Sequence, residues 1–415
     1  MKIAFFTDAY LPNINGVSFS VDVFSRIFST ENEIEIYAPA YKDASKTEQK
    51  GKVIVRRYYS VPIPTYKDTH LTLPDVVKIY NQIEEFNPDV IHIQTPGTLG
   101  LIGILVAKML RKPVVGTYHT LISEVLVYAS IKRSLDRYLQ AIDKVVGGVG
   151  TDLVFLLKQK NENKTDKKKE SIPQQITWSL VNRVYGYCDI VICPSEAIKR
   201  ELLRRGVKRR IEVVSNGVDL KMFPMRKQYK PTGKIVHVGR LGFEKNIDVV
   251  IKAFSQVVAD HRQAKLIIAG DGPARKDLEK LAANLGVLKN VKFLGMIKRD
   301  KLTKVYLDGD VFVTASTMET QGMVVLEAMS SGLPIIGVKR YALPDLVKED
   351  INGFVTRPGS DKSMAMKIKM ILDDPSLLER MGTQSRRMAE KHEVGAMSRK
   401  LFELYEEALL IKYRS

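Results

Sequence analysis

Glu319 and Glu327 stand eight residues apart in the stretch Glu319-Thr-Gln-Gly-Met-Val-Val-Leu-Glu327. It reads as a loop that becomes a helix from Met323 to Met329, halted near Ser330-Ser-Gly-Leu-Pro334. Gly322 clears side-chain bulk where the backbone turns. The first N–H groups of such a helix have no partner within it, so those of Gln321 to Met323 can hold a phosphate or developing oxyanion charge. One carboxylate at the mouth and one two turns inside can grip different hydroxyls of a single sugar nucleotide.

A second stretch supplies the opposite charge. After the apolar run Ile235-Val-His-Val comes Gly239-Arg240-Leu-Gly-Phe-Glu-Lys245-Asn246, which opens another helix. A strand, a glycine and a helix carrying two cations make a phosphate cradle. Arg240 can fork onto phosphate oxygens, and Lys245 adds a point charge. When a sugar–phosphate bond breaks, negative charge grows on the departing phosphate, and stabilising that charge lowers the barrier.

Strands must carry these loops. Ile3-Ala-Phe-Phe reads as a buried first strand, with Asn15-Gly16 at its hand-over to a helix from about Ser18 to Phe28. No GxGxxG is present, so the usual dinucleotide fingerprint is absent. Val90-Ile-His-Ile and Val114-Val-Gly-Thr end in polar tips, the second at His119. In an open α/β sheet the carboxyl ends of strands line the ligand crevice, which directs His119 toward it. His92 lies inside its strand and reads as structural. Lys234 to Val238 begins a second unit of the same kind. Leu294-Gly295 is the exit of a later strand, Val291 to Met296.

These motifs resemble the retaining glycosyltransferases of family 4. Within that family the chain is most similar to the bacterial enzymes that glycosylate diacylglycerol, the monoglycosyldiacylglycerol synthases. The resemblance covers nearly the whole chain. It implies an α/β GT-B fold: two Rossmann-like domains facing across a cleft, with a C-terminal helix returning to the first. It assigns Gly16 and Gly239 to the donor's phosphates, and Leu294 and Gly295 to the edge of its base. Gln321, Gly322 and Met323 go to sugar and phosphate, and Glu327 to the ribose. His119, Arg240, Lys245 and Glu319 form the catalytic set. The expected donor is UDP-glucose or UDP-galactose, and the expected acceptor is diacylglycerol. Asp308-Gly-Asp310 matches the Asp-x-Asp that holds Mn²⁺ in metal-dependent transferases. With no third ligand nearby and two cations in the cradle, it reads as chance, and no metal or cofactor is expected.

At 415 residues, two cores are expected. The boundaries fall at 1–215, 216–385 and a returning helix at 386–415, with Pro224 to Gly233 as the linker and a polar insertion near 158–171. The formal charge of +18 points to an anionic partner, and both halves share it, +8 in residues 1–215 and +10 beyond. Two segments are candidates for membrane contact. Leu121 to Leu139 has an amphipathic pattern, with Tyr128 and the cations Lys132, Arg133 and Arg137. Lys199, Arg200, Arg204 and Arg205 begin the densest basic run. No aromatic residues interleave that run, so lipid is favoured over nucleic acid. Cys188 and Cys193 are expected on opposite faces of one strand, as free thiols in a reducing cytoplasm. No run is long enough to span a bilayer, and the resemblance together with the basic segments implies a peripheral enzyme on the inner face of the cell membrane. A soluble sugar or inositol phosphate acceptor, and a non-enzymatic nucleotide- or RNA-binding role, remain the alternatives.

Overall fold

The structure is a computed structural model describing residues 1–13, 15–41, 46–63, 66–119 and 172–414. Tyr128, Lys132, Arg133, Arg137 and the insertion near 158–171 lie outside the described residues. The chain forms two compact units. One takes the residues up to Val214 together with those from Ser398 onward, and the other takes Ser215–Met397.

In the first unit the strands are β1 (Lys2–Phe6), β2 (Glu33–Pro39), β3 (Thr47–Lys50), β4 (Val53–Tyr58), β5 (Ser60–Ile63), β6 (Tyr66–Thr72), β7 (Val90–Ile93), β8 (Val114–Thr117), β9 (Ile190–Cys193) and β10 (Arg210–Val213). The helices are α1 (Gly16–Phe28), α2 (Val76–Phe86), α3 (Thr98–Met109), α4 (Ile172–Gly186) and α5 (Glu196–Arg204). The main sheet runs β10-β9-β8-β7-β1-β2-β4-β3, and β5 pairs with β6 apart from it. Only β3 runs antiparallel in the main sheet. β1, β7, β8 and β9 are apolar or small apart from Lys2 at the start of β1, His92 and Thr117, as strands covered on both faces must be. The Leu99–Ala107 run is buried within α3, so it is a core helix.

The second unit repeats the plan. β11 (Lys234–Val238), α6 (Ile247–Asp260), β12 (Lys265–Ala269), α7 (Arg275–Asn284), β13 (Val291–Gly295), α8 (Arg299–Asp308), β14 (Val311–Val313), α9 (Met323–Ser330) and β15 (Ile335–Val338) follow in turn. Then come α10 (Leu343–Leu346), β16 (Gly353–Thr356), α11 (Asp361–Asp373) and α12 (Pro375–Glu390). The six strands are all parallel, ordered β13-β12-β11-β14-β15-β16. That is the doubly wound order, whose direction reverses between β11 and β14. The last helix, α13 (Val394–Arg414), leaves this unit and packs Leu401, Leu404, Tyr405 and Ala408 into the first.

Three expectations change. Pro224 to Gly233 is not a loose linker: Arg226 is buried and donates to the carbonyls of Leu307 and Gly309, fastening it to the second unit. Cys188 precedes β9 and does not share a strand with Cys193; both are buried free thiols whose pKa values burial raises. Helix α1 starts at Gly16, earlier than expected, because the Asn15 side chain accepts from the N–H groups of Val17 and Ser18.

Candidate functional site

The strand order puts the crevice of the second unit at the carboxyl ends of β11 and β14, where the direction reverses. The loop after β11 carries Gly239, Arg240 and Lys245, and the loop after β14 carries Glu319. Lys245 Nζ lies 2.6 Å from Glu319 Oε1. Asn246 fastens the two loops, its Nδ2 donating to the Ala315 carbonyl at 3.2 Å and to Thr317 Oγ1 at 3.3 Å. Burial raises the Glu319 carboxyl, but the charge and hydrogen bond of Lys245 outweigh it and hold Glu319 below the usual carboxylate range. Arg240 is exposed at the mouth.

Backbone contacts at this edge are close. A Cβ on Gly270 would fall 1.8 Å from the Gly239 carbonyl oxygen, so glycine is obligatory after β12. The Gly270 N–H donates to the Gly295 carbonyl at 2.8 Å, tying the exit of β13 into the same rim. Leu294 is half-buried beside it.

Gly322 takes φ +84°, the left-handed region, and starts α9 with no side chain capping it. Gln321 is buried, and its side chain accepts from the Asn216 N–H at 2.9 Å and donates to Ser215 Oγ. Its side chain is therefore structural, and any ligand contact falls to the backbone from Gln321 to Met323.

Glu327 is enclosed, 1% exposed. Oε1 lies 2.6 Å from Arg299 Nη2, and Oε2 accepts from the Tyr306 hydroxyl at 2.8 Å. Burial outweighs both partners and pushes this carboxyl up. The ribose assignment placed Glu327 facing a ligand. Here both oxygens already bond to side chains of α8, which a ribose hydroxyl would have to share.

Asp310 accepts from the N–H groups of Thr232 and Lys234 at 2.7 and 3.0 Å and from Thr232 Oγ1 at 3.1 Å. Its Oδ2 is thus engaged by backbone and hydroxyl donors of the segment entering β11. Among the described residues, no three His, Cys, Asp or Glu side chains are grouped to hold a metal.

Sequence reasoning missed His237, Arg299 and Tyr306. His237 is buried in β11; its Nδ1 lies 2.9 Å from the Val313 carbonyl and so carries the proton, leaving Nε2 an acceptor with no hydrogen-bond partner among the described residues. Its signal was a polar residue inside an apolar run. Arg299 and Tyr306 are seven apart and share one helix face, but nothing in the sequence names their partner.

In the first unit, His119 follows β8 and is 9% exposed. Its Nε2 lies 2.7 Å from Gln94 Oε1, and burial lowers its pKa to about 4, so it stays neutral at physiological pH. His92 joins Tyr405 and Thr117 at 2.6 and 2.7 Å, a structural histidine as expected. On α5, Arg200 and Arg204 are exposed beside Leu203, and Lys199 is half-buried. Arg205 departs from the expected surface role. Arg204 and Arg205 both pair with Glu201, at 2.8 and 2.9 Å, but Arg205 is half-buried and also stacks on Trp178.

The model described as Glycosyltransferase Family 4 matches residues 14–222, and that of Glycosyl transferases group 1 matches 222–388. A sulfoquinovosyl transferase of Arabidopsis thaliana is 30% identical over 82% of this chain and 61% of its own length. An alpha-monoglucosyldiacylglycerol synthase of Streptococcus pneumoniae is 31% identical over 85% of this chain and 74% of its own. An Anabaena structure in complex with UDP superposes with a TM-score of 0.71 at 19% identity, covering 98% of this chain and all of the other.

Proposed function

The chain belongs to glycosyltransferase family 4 and has the GT-B fold, and on that premise we propose that it moves a hexose from a UDP-sugar to diacylglycerol or a related membrane lipid, retaining the anomeric configuration. The hexose is glucose or galactose. The observation carrying this reading is the Lys245–Glu319 pair at the strand-order reversal, beside an uncapped helix start at Gly322. The lipid acceptor rests on relatives whose names include a monoglucosyldiacylglycerol synthase.

In this reading the second unit supplies most of the donor contacts, and the first carries the acceptor and membrane contacts. Arg240 and Lys245 hold the diphosphate, with Gly16 and Gly239 giving it close backbone approach. Glu319 and the N–H groups from Gln321 to Met323 hold the sugar, Leu294 and Gly295 flank the base, and Glu327 takes the ribose. The neutral His119 bonds a sugar hydroxyl or the phosphate. The C1–O bond to phosphate breaks as the acceptor oxygen bonds C1 on the same face, and the acceptor's proton passes to the leaving phosphate. Arg240 and Lys245 stabilise the charge that grows there. They do the electrostatic work a divalent ion would do, so activity is expected to survive EDTA; loss restored by Mn²⁺ or Mg²⁺ would reverse that assignment. No described helix is long and apolar enough to cross a membrane. We assign the protein to the inner membrane face through its basic surfaces.

The test is incubation with labelled UDP-glucose, UDP-galactose and GDP-mannose, with and without diacylglycerol in anionic vesicles. Label entering the lipid phase from one UDP-sugar is the expected result. An empty lipid phase with a labelled soluble sugar or inositol phosphate would replace the lipid reading. RNA binding without transfer from any donor would end the enzymatic one.

A further inference from the structure

Glu327 is a buried carboxylate held by two side chains of one helix. Arg299 opens α8 and Tyr306 lies two turns on, so both face α9, and they take one oxygen each. Arg299 is itself held by the Phe223 ring, 5.3 Å from its guanidinium, and Phe223 meets Tyr306 edge-on at 5.7 Å. Arg299 and Tyr306 are the titratable groups acting on Glu327 from the elements packed around it. Tyr306 is wholly buried, and the Arg299 side chain is 29% exposed although its Nε and Nη2 are buried.

We propose that Arg299 is a positioning residue for nucleotide-sugar binding: it keeps Glu327 an ionised, oriented acceptor for the ribose hydroxyls. This rests on the assignment of Glu327 to the ribose. To accept from two ribose hydroxyls at once Glu327 must be ionised, because protonation turns one of its oxygens into an O–H donor. Burial alone drives a carboxyl toward that protonated form, and here burial already outweighs its partners. Among the described residues, Arg299 is the cation that acts on Glu327. Three residues separate Gly295 from Arg299, so the exit of β13 and the ribose acceptor are connected through the start of one helix.

The test compares Arg299→Met, Arg299→Lys and Glu327→Gln in KM and kcat for the UDP-sugar across roughly pH 6–9. Arg299→Met is expected to raise KM about tenfold at neutral pH with kcat changed less than about threefold, and KM should recover as pH rises and Glu327 ionises. Arg299→Lys should stay within about threefold of the parent, and Glu327→Gln should raise KM without recovery at high pH. If Glu327→Gln disturbs KM but Arg299→Met does not, or does so equally at every pH, the role of Arg299 is overturned. If Glu327→Gln leaves KM unchanged, the ribose assignment itself falls. Should Arg299→Met fail to fold, Tyr306→Phe decides. Removing one donor from Glu327 should raise KM a few-fold, most at low pH, and an unchanged KM overturns the proposal.

Discussion

Lys245 and Glu319 neutralise each other at 2.6 Å within a site whose other cation, Arg240, is exposed. The difference predicts different outcomes on substitution. Arg240→Ala should leave the melting temperature near the parent's. Lys245→Ala should lower it, because Glu319 is then a mostly buried carboxylate without its cation. Both should lose about 2–4 kcal/mol of transition-state stabilisation, roughly 30- to 1000-fold in kcat/KM, measured on folded protein. Near-parental rates would remove them from the mechanism. The buried imidazoles predict a pH dependence of stability. His119 and His237 each have a folded-state pKa of about 4 against an ordinary 6.5. As pH falls below the ordinary value the unfolded chain takes up protons that the folded chain refuses. The contribution is therefore complete above the ordinary pKa and lost progressively down to the depressed one. At about pH 5 the loss is roughly 2 kcal/mol per imidazole, and His92 and His392 shift in the same direction. Urea unfolding at about pH 7.5 and pH 5 measures it, and equal midpoints would contradict it.

Among the elements, α1 offers the cleanest separation of stability from binding. A methyl group on Gly16 would meet nothing within 4 Å, and Asn15 caps the helix whatever residue follows. Gly16→Ala should therefore melt like the parent or slightly higher, while a phosphate approaching that loop would meet the new methyl and KM would rise. An unchanged KM would detach the loop from the donor. The elements also show how far the sequence could be read. Strand runs such as Ile235–Val238 and the loop-to-helix turn at Gly322 were legible, because apolar runs and glycine positions are local signals. Glu319 and Lys245 were legible as charges in loops that follow strands. The partners of Glu327 were not, since α8 and α9 meet only through the tertiary fold. The inward turn of Arg205 was hidden for the same reason: its position in a basic run says nothing of Glu201 or Trp178.

For the whole molecule, the +18 charge remains the boldest bulk property. On α5, Arg200 and Arg204 flank Leu203, which is 53% exposed, so cations and an apolar group share one surface. Anionic vesicles should bind the protein more tightly than neutral ones, by up to about 1 kcal/mol per cation held near the surface, and salt should weaken the difference. Replacing Arg200, Arg204, Lys132, Arg133 and Arg137 with Ser should reduce cosedimentation and leave UDP-sugar affinity intact. Equal binding to both vesicle types would leave the charge without a lipid role.

Helix α13 puts the two units out of step in time. Tyr405 bonds His92, and Phe402 and Tyr405 both pack on Phe28, so part of the first unit's interior comes from beyond Ser398. A ribosome delivers those residues only after all of Ser215–Met397 has emerged. The half that is synthesised first is therefore completed last, and until then Phe28 and His92 wait without the side chains that cover them.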